Sequence, residues 1–171
     1  MTDPTELTRE FHEFFKRPVR DQATLVTGDE LRLRRTLIAE EYDELDYEFA
    51  LETEGDLRQQ YKEAADLVYV IYGWDQHAGN LLSRVLEEVH RSNMTKLWPC
   101  DFCDGTGTAT TGCMYRETPP YTPMAAVVMR CAMCNGTGKV AKYREDGKVL
   151  KPPTYEPPDL SFIPEEPPHA E

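Results

Sequence analysis

The sequence predicts an all-α protein: a four-helix core, a small cysteine-rich insertion and an extended, proline-rich C-terminal segment. Apolar residues recur at helical spacing through the N-terminal half, which favours amphipathic helices. Two near-copies, CDFCDGTG at residues 100–107 and CAMCNGTG at residues 131–138, form the insertion. The prolines that follow exclude long helices there. The predicted divisions are a helical domain (1–97 plus 143–163), an inserted zinc ribbon (98–142) and a flexible tail (164–171).

Each predicted helix has recognisable boundaries. The first begins at Thr2-Asp3-Pro4, since proline is tolerated in a first helical turn, and it ends before Pro18. The second begins near Gly28 and ends at Gly55. In the third, the stretch ADLVYVIY is apolar nearly all round, which indicates burial on more than one face. The expected bounds of the third and fourth helices are about 56–73 and about 80–97.

The overall charge excludes several classes of function. Lys and Arg total 19 and Asp and Glu total 31, which gives a net charge of −12. Proteins that bind nucleic acid or anionic membranes carry the opposite charge, so neither partner is expected. No apolar run approaches the roughly 20 residues of a membrane span, and no secretory signal is visible. A cytoplasmic location is expected, where paired cysteines favour metal sites over disulfides.

Two acidic pairs give the strongest functional signal. Glu41 and Glu44 in the second predicted helix are spaced i, i+3, as are Glu63 and Asp66 in the third, so each pair shares a helix face. Apolar residues flank both pairs, which makes a merely solvated acidic face the weaker interpretation. Such carboxylates repel one another unless a hard cation, Mg²⁺ or Mn²⁺, binds them. Glu40, beside the first pair, is a candidate general base towards water.

Four further residues are candidates for contacts with phosphate. Asn93 and Lys96 lie i, i+3 near the end of the fourth helix, where a lysine would equally suit the helix dipole. Lys148 and Lys151, in DGKVLKPP, are flexible cations. Without further context, Lys148 and Lys151 are better interpreted as ordinary surface lysines.

A few aromatic and histidine residues are candidates for contacts with a nucleobase. Core packing is the stronger interpretation for Phe11 and Phe15 in the first helix, whereas Tyr72 and Trp74 are open candidates in the third. His12 lies off the apolar face of the first helix, so it is a candidate substrate-binding residue whose structural alternative stays open.

Four cysteines predict a structural zinc site. They form two CxxC pairs separated by 27 residues, a spacing typical of tetrahedral zinc sites. A redox dithiol and an iron–sulfur site are the weaker alternatives. Zinc would also supply the stability that so small an insertion cannot draw from a core of its own. Cys113 is expected to be a free thiol, and the predicted zinc ligands are Cys100, Cys103, Cys131 and Cys134.

The order of these motifs resembles the MazG-like, all-α nucleoside triphosphate pyrophosphohydrolases. The resemblance is carried by LRLRRTLIAEEYDELDYEF, EAADLVYVIYG, EVHRSNMTK and DGKVLKPPTYEPPDL, and by the EExxE…ExxD pattern within them. Within that superfamily the chain is most similar to small members related to dimeric dUTPases and labelled phosphoribosyl-ATP pyrophosphohydrolase-like. The likeness covers most of 5–97 and resumes at about 143–162. The insertion departs from that pattern and is similar to the CxxCxGxG repeats of the DnaJ zinc domain.

The resemblance implies a reaction, an assembly and individual roles. The implied enzyme is a Mg²⁺-dependent homodimer or dimer of dimers that converts dUTP or another (d)NTP to the monophosphate and pyrophosphate. A phosphoribosyl-ATP pyrophosphohydrolase and a non-catalytic zinc-ribbon adaptor are the alternatives. The implied metal ligands are Glu41, Glu44, Glu63 and Asp66; Glu40 positions or activates water; and the residues contacting substrate or phosphate are Asn93, Lys96, Lys148 and Lys151.

Overall fold

The computed structural model describes residues 3–111 and 127–169 and divides the chain into two compact units. The first unit contains residues up to Glu88 together with those from Asp159 onwards, and the second runs from Val89 to Pro158. In this division the end of the fourth helix and the segment 143–158 belong with the cysteine-rich part. Cys113 lies outside the described residues.

Four α-helices are present within residues 3–111 and 127–169, as the sequence predicts. Asp3 caps the first by accepting a hydrogen bond from the Thr5 backbone N–H, 2.9 Å away, and Asp56 caps the third in the same way. None of the helices within the described ranges is long and apolar enough to cross a membrane. The helices are α1 (Pro4–Phe14), α2 (Gly28–Ala50), α3 (Leu57–Ala78) and α4 (Leu82–Met94), with a short 3₁₀ turn at Glu52–Glu54.

The third helix continues beyond Gly73, where the sequence analysis ended it. Helix α3 stops instead at Gly79, whose φ of 117° is left-handed and favours glycine. Gly73 has a packing role: a Cβ there would lie 3.1 Å from Arg34 Nη1 and 3.3 Å from His12 Nε2. Glycine at this position therefore permits the close approach of three helices and does not end one.

The interior of the first unit is unusually polar. Gln76 Nε2 donates to the Thr5 carbonyl at 2.9 Å and to Thr8 Oγ1 at 3.1 Å, which ties α3 to α1. The buried imidazole of His77 on α3 is bound to two residues of α2: its Nδ1 hydrogen-bonds Glu30, and its Nε2 accepts from Arg34. These bonds satisfy groups that would otherwise be buried without partners.

Large apolar side chains of the helices remain exposed in the single chain. Phe49 is 56% exposed on α2, and Leu57 and Tyr61 are 63% and 71% exposed on α3. The core interpretation of Phe11 and Phe15 is wrong within this chain, because they are 41% and 56% exposed. The apolar periodicity of these helices thus identifies surfaces that one copy does not bury.

Residues near the C-terminus return to the first unit. The Leu25 backbone N–H donates to the Pro168 carbonyl at 2.8 Å, and Leu25 forms a parallel β-bridge with His169. The segment predicted to be a flexible tail therefore includes a backbone pairing with the loop that precedes α2.

The second unit contains two antiparallel pairs of short strands. Strand β1 (Trp98–Pro99) pairs with β4 (Lys139–Val140), with Trp98 opposite Val140. Strand β2 (Thr108–Thr111) pairs with β3 (Val127–Arg130), with Thr108 opposite Arg130. Each pair joins one cysteine repeat to the other, so the repeats form one small body.

Acidification should destabilise the helical unit through His77. Burial and then the positive charge of Arg34 lower the pKa of His77 to about 4. The unfolded chain takes up this proton near its ordinary value of about 6.5, so it binds more protons between these values and stability falls as pH falls. Between about pH 7 and about pH 5, His77 alone should cost about 2 kcal/mol of unfolding free energy.

Urea unfolding followed by far-ultraviolet circular dichroism measures this loss. His77→Gln is the matched control, because it keeps a donor and an acceptor but gains no proton. The unfolding free energy of His77→Gln should fall less than that of the wild type between about pH 7 and about pH 5. An unfolding free energy that is unchanged in the wild type, or that falls equally in both proteins, would contradict the assignment.

Candidate metal and catalytic site

Three of the four predicted metal ligands converge between α2 and α3. Glu41 and Glu44 project from α2 and Glu63 from α3, and each offers a carboxylate oxygen within 4.8 Å of the others. Glu63 is only 5% exposed, whereas Glu44 faces solvent. A cleft of about 310 Å³ adjoins them and is lined by Asp43, Glu44, Tyr47, Glu48 and Glu63.

A lysine that the sequence analysis did not consider lies among these carboxylates. Lys62 Nζ is 2.9 Å from Glu63 Oε2, 3.0 Å from Asp66 Oδ2 and 3.8 Å from Glu44 Oε2. The ammonium group therefore connects the fourth predicted ligand, Asp66, to the other acids. The i, i+4 spacing of Lys62 and Asp66 in the sequence could have revealed this ion pair, because residues at that spacing are neighbours on a helix.

The electrostatics of the cluster favour a bound cation. Burial, followed by the negative charges of Glu44 and Asp66, raises the pKa of Glu41 above its ordinary value. Hydrogen bonds to Glu63 and Asp66 raise the pKa of Lys62, so this lysine is held in its charged form. An all-oxygen donor set that already attracts an ammonium group fits a hard divalent ion such as Mg²⁺ or Mn²⁺.

The remaining predicted residues of the helical unit have different surroundings. Glu40 is exposed on α2, next to Glu41. His12 is buried, with Nδ1 3.1 Å from the Pro18 carbonyl and its ring edge-on to His77. Burial, followed by the charge of Arg34, lowers the pKa of His12. These contacts give His12 a packing role in this structure.

An aromatic cleft lies beside His12. It has a volume of about 280 Å³ and is lined by two phenylalanine rings, two arginines and two leucines. The Phe11 and Phe15 rings have centroids 4.4 Å apart. Burial and then the positive charge of Arg17 lower the pKa of Arg34. The lining residues are Phe11, Phe15, Arg17, Leu33, Arg34 and Leu37.

The predicted phosphate-binding residues all lie in the second unit. Lys96 Nζ donates to Asn93 Oδ1 at 2.6 Å, so these two side chains are adjacent. Lys151 Nζ lies 4.1 Å from the centroid of the Tyr155 ring, and Lys148 is exposed. The extended segment reaches α4 within this unit, because Ser92 Oγ donates to the Glu156 carbonyl at 2.8 Å.

The four cysteines of the two repeats form one buried cluster. Cys100 Sγ is 3.9 Å from Cys131 Sγ, and Cys103 Sγ is 3.7 Å from Cys134 Sγ. Zinc–sulfur bonds of about 2.3 Å require edges of about 3.8 Å in a tetrahedron of sulfurs. These separations are too long for disulfides and fit a tetrahedral zinc site.

The two repeats are built as near-equivalent halves. The Gly107 backbone N–H donates to Cys103 Sγ and that of Gly138 to Cys134 Sγ, each at 3.3 Å. Both glycines have positive φ, and a Cβ at Gly138 would lie 2.1 Å from the Gly105 carbonyl oxygen. Burial raises the pKa of Cys134, but the N–H of Gly138 and the neighbouring thiols outweigh it and lower that pKa. The N–H of Cys134 lowers the pKa of Cys131, but burial and the neighbouring thiols outweigh it and raise that pKa. The pair therefore favours one thiolate, on Cys134. A stabilised thiolate is the form that binds zinc.

Comparison with known families assigns the helical part. A family model described as phosphoribosyl-ATP pyrophosphohydrolase matches residues 8–93, half of the chain. The chain belongs to this family. No curated protein matches the sequence.

Membership of the phosphoribosyl-ATP pyrophosphohydrolase family places the chain in the MazG-like, all-α superfamily. Proteins of this family are pyrophosphohydrolases, so the chain is a hydrolase of the type that cleaves nucleotide pyrophosphate bonds. The matched region contains the acid cluster and Asn93 but ends before the first cysteine repeat. The cysteine-rich insertion is therefore an addition to the part of the chain that defines the family.

The cysteine cluster predicts about one zinc per chain. Replacing Cys100 and Cys131 together with Ser should abolish zinc binding and unfold the second unit, because two ligands are lost from the tetrahedron. Metal analysis of the purified protein measures this. Cys113→Ser is the matched control and should keep its zinc. Zinc retained by the double variant would contradict the ligand assignment.

Proposed function

We propose that the protein is a Mg²⁺-dependent (or Mn²⁺-dependent) nucleoside triphosphate pyrophosphohydrolase. Its substrate is dUTP or another dNTP, and its products are the monophosphate and pyrophosphate. The observation that carries this proposal is the convergence of the Glu41, Glu44 and Glu63 carboxylates, with the Lys62 ammonium beside Glu44 and Glu63. The cellular role is removal of unwanted nucleotides.

Four carboxylates hold the metal in this proposal. Glu41 and Glu44 come from α2, and Glu63 and Asp66 from α3. A bound divalent ion would supply charge neutralisation for the triphosphate and a lower pKa for water. The helices hold these side chains in place before substrate arrives, which reduces the reorganisation that the reaction requires.

Protein side chains complete the reaction. Glu40 accepts the proton of the attacking water as its oxygen bonds to the α-phosphorus. The bridging α–β P–O bond then breaks and its electron pair leaves with pyrophosphate. In this proposal Asn93 and the ammonium groups of Lys96, Lys148 and Lys151 contact the triphosphate oxygens. The lysine charges stabilise the departing pyrophosphate.

The aromatic cleft is the proposed site of the base. Phe11 and Phe15 present flat apolar surfaces, and Arg17 supplies hydrogen-bond donors that suit base carbonyl oxygens. Arg34 precedes Glu41 by seven residues on α2, which separates them by about 10 Å along one helix face. A nucleoside can span that length, so base and α-phosphate can be bound together. His12 is buried next to this cleft, with its ring centroid 6.1 Å from that of Phe11.

Phosphoribosyl-ATP is the second candidate substrate, and the family match favours it. This nucleotide carries an additional ribose phosphate on its base. Two guanidinium groups beside the aromatic cleft suit such a second anion. A dNTP and phosphoribosyl-ATP would be cleaved by the same metal chemistry. They differ only in the group that the aromatic cleft would contact.

A homodimer, or a dimer of such dimers, is the proposed assembly. The exposed apolar side chains of α2 and α3, including Phe49, Leu57 and Tyr61, would be covered by a second copy. Zinc in the cysteine-rich insertion has a structural role in this proposal. Sedimentation equilibrium that gave the mass of a single chain would contradict the dimer.

A nucleotide panel tests the proposed activity. Each dNTP and NTP, and phosphoribosyl-ATP, is incubated with the protein in Mg²⁺, and monophosphate and pyrophosphate are measured. Turnover of dUTP or another dNTP is expected. Glu41→Gln should lower kcat by roughly a hundredfold or more, because charge stabilisation at the reacting phosphate is lost. Asp46→Asn, an exposed acid on the same helix, is the matched control and should keep full activity.

The other outcomes are equally informative. Turnover of phosphoribosyl-ATP alone would replace the dNTP assignment and keep the mechanism. No turnover of any nucleotide by folded, zinc-loaded protein would contradict the enzyme assignment and favour an adaptor that acts through its insertion. Full activity in Glu41→Gln would contradict the metal site.

A further inference from the structure

Lys62 is a cation of the chain itself that bridges carboxylates proposed to hold the metal ion. Its ammonium group donates to Glu63 Oε2 at 2.9 Å and to Asp66 Oδ2 at 3.0 Å, and it also approaches Glu44. These oxygens belong to the residues that are proposed to hold the divalent ion. Lys62 is thus a cation built into the site by the chain itself.

The charge of the cluster explains why such a cation is needed. Three carboxylates converge here, Asp66 adjoins them through Lys62, and one of the three, Glu63, is almost fully buried. Like charges at these distances destabilise the fold unless they are neutralised. One ammonium group offsets part of this repulsion, whereas the exposed Arg58, one turn earlier on α3, forms no ion pair with the cluster among the described residues.

Lysine and metal cannot use the same oxygens at once. Mg²⁺ bonds carboxylate oxygens at about 2.0–2.1 Å, so an ion on Glu63 and Asp66 would be pressed against the ammonium group. The Lys62 side chain is 54% exposed and has a long flexible stem. It can therefore swing into solvent when a divalent ion arrives.

We propose that Lys62 is a tethered counter-ion that fills the acid cluster without metal and is displaced when the divalent ion binds. This inference rests on the proposed metal site. Lys62 stabilises the metal-free fold and competes with the ion, and in this way it sets the metal concentration at which the site fills. It acts as a positioning residue through the carboxylates, not on the substrate itself.

Metal titration without nucleotide tests the displacement. Zinc-loaded protein is titrated with Mn²⁺, and free Mn²⁺ is measured by electron paramagnetic resonance. Lys62→Gln should bind Mn²⁺ roughly tenfold more tightly than the wild type, because the competing charge is gone. Lys62→Arg should keep the competition. Arg58→Gln, which removes the same charge from the same helix, should stay within about twofold of the wild type.

Thermal unfolding gives a second measurement that does not depend on activity. Without divalent ion, Lys62→Gln should have a lower Tm than Arg58→Gln, because its carboxylates repel without a counter-ion. Saturating Mn²⁺ should raise the Tm of Lys62→Gln by more than that of the wild type. Equal or weaker Mn²⁺ binding by Lys62→Gln than by Arg58→Gln would overturn the inference.

Glu63→Gln separates the failure of this inference from failure of the proposed function. If Glu63→Gln weakens Mn²⁺ binding and Lys62→Gln leaves it unchanged, the metal site stands and the counter-ion role is overturned. If Glu63→Gln leaves wild-type Mn²⁺ binding intact, the acid cluster is not the metal site. Both the proposed function and the counter-ion role then fail.

Discussion

The concentration of negative charge between α2 and α3 is the constraint on which the helical unit depends. Glu41, Glu44 and Glu63 bring their oxygens together at a partly buried site, where repulsion is strong. A cation reduces this repulsion, and the Lys62 ammonium lies beside Glu44 and Glu63 here. The same arrangement that costs stability is the proposed site for a hard metal ion. The proposed function and this cost in stability would then have a single physical origin, as is common at sites with perturbed pKa values.

The rest of the molecule compensates for its small apolar core in two ways. In the first unit, hydrogen bonds among buried polar groups hold the helices together, and Gly73 lets α3 approach Arg34 and His12 closely. In the second unit, the buried cluster consists of four cysteines, and a zinc ion held by them would replace the core that so few residues cannot form. Exposed apolar side chains on the long helices leave surface for a further copy of the chain.

The sequence predicted the parts of this structure that depend on local spacing. Glu41 and Glu44, an i, i+3 pair, lie together, as do the cysteines within each CxxC repeat, because helix periodicity and knuckle geometry are local properties. It missed features that depend on packing between elements. Gly73 resembled a helix end, because its neighbours across the helix interface were not visible in one sequence. The apolar faces of α1 and α2 indicated burial, but periodicity does not say whether the same chain supplies the covering surface. The sequence analysis did not single out Lys62, because its position beside Glu44 depends on how α2 packs against α3.

The most direct test of the account is the position of a divalent ion bound to the protein. Crystals grown with Mn²⁺ would reveal it through anomalous scattering at the manganese edge. We expect an anomalous-difference peak within bonding distance of carboxylate oxygens of Glu41, Glu44 and Glu63, with the Lys62 ammonium group moved away from Glu63 and Asp66. Manganese absent from this cluster, with Lys62 still bridging its carboxylates at saturating metal, would contradict it.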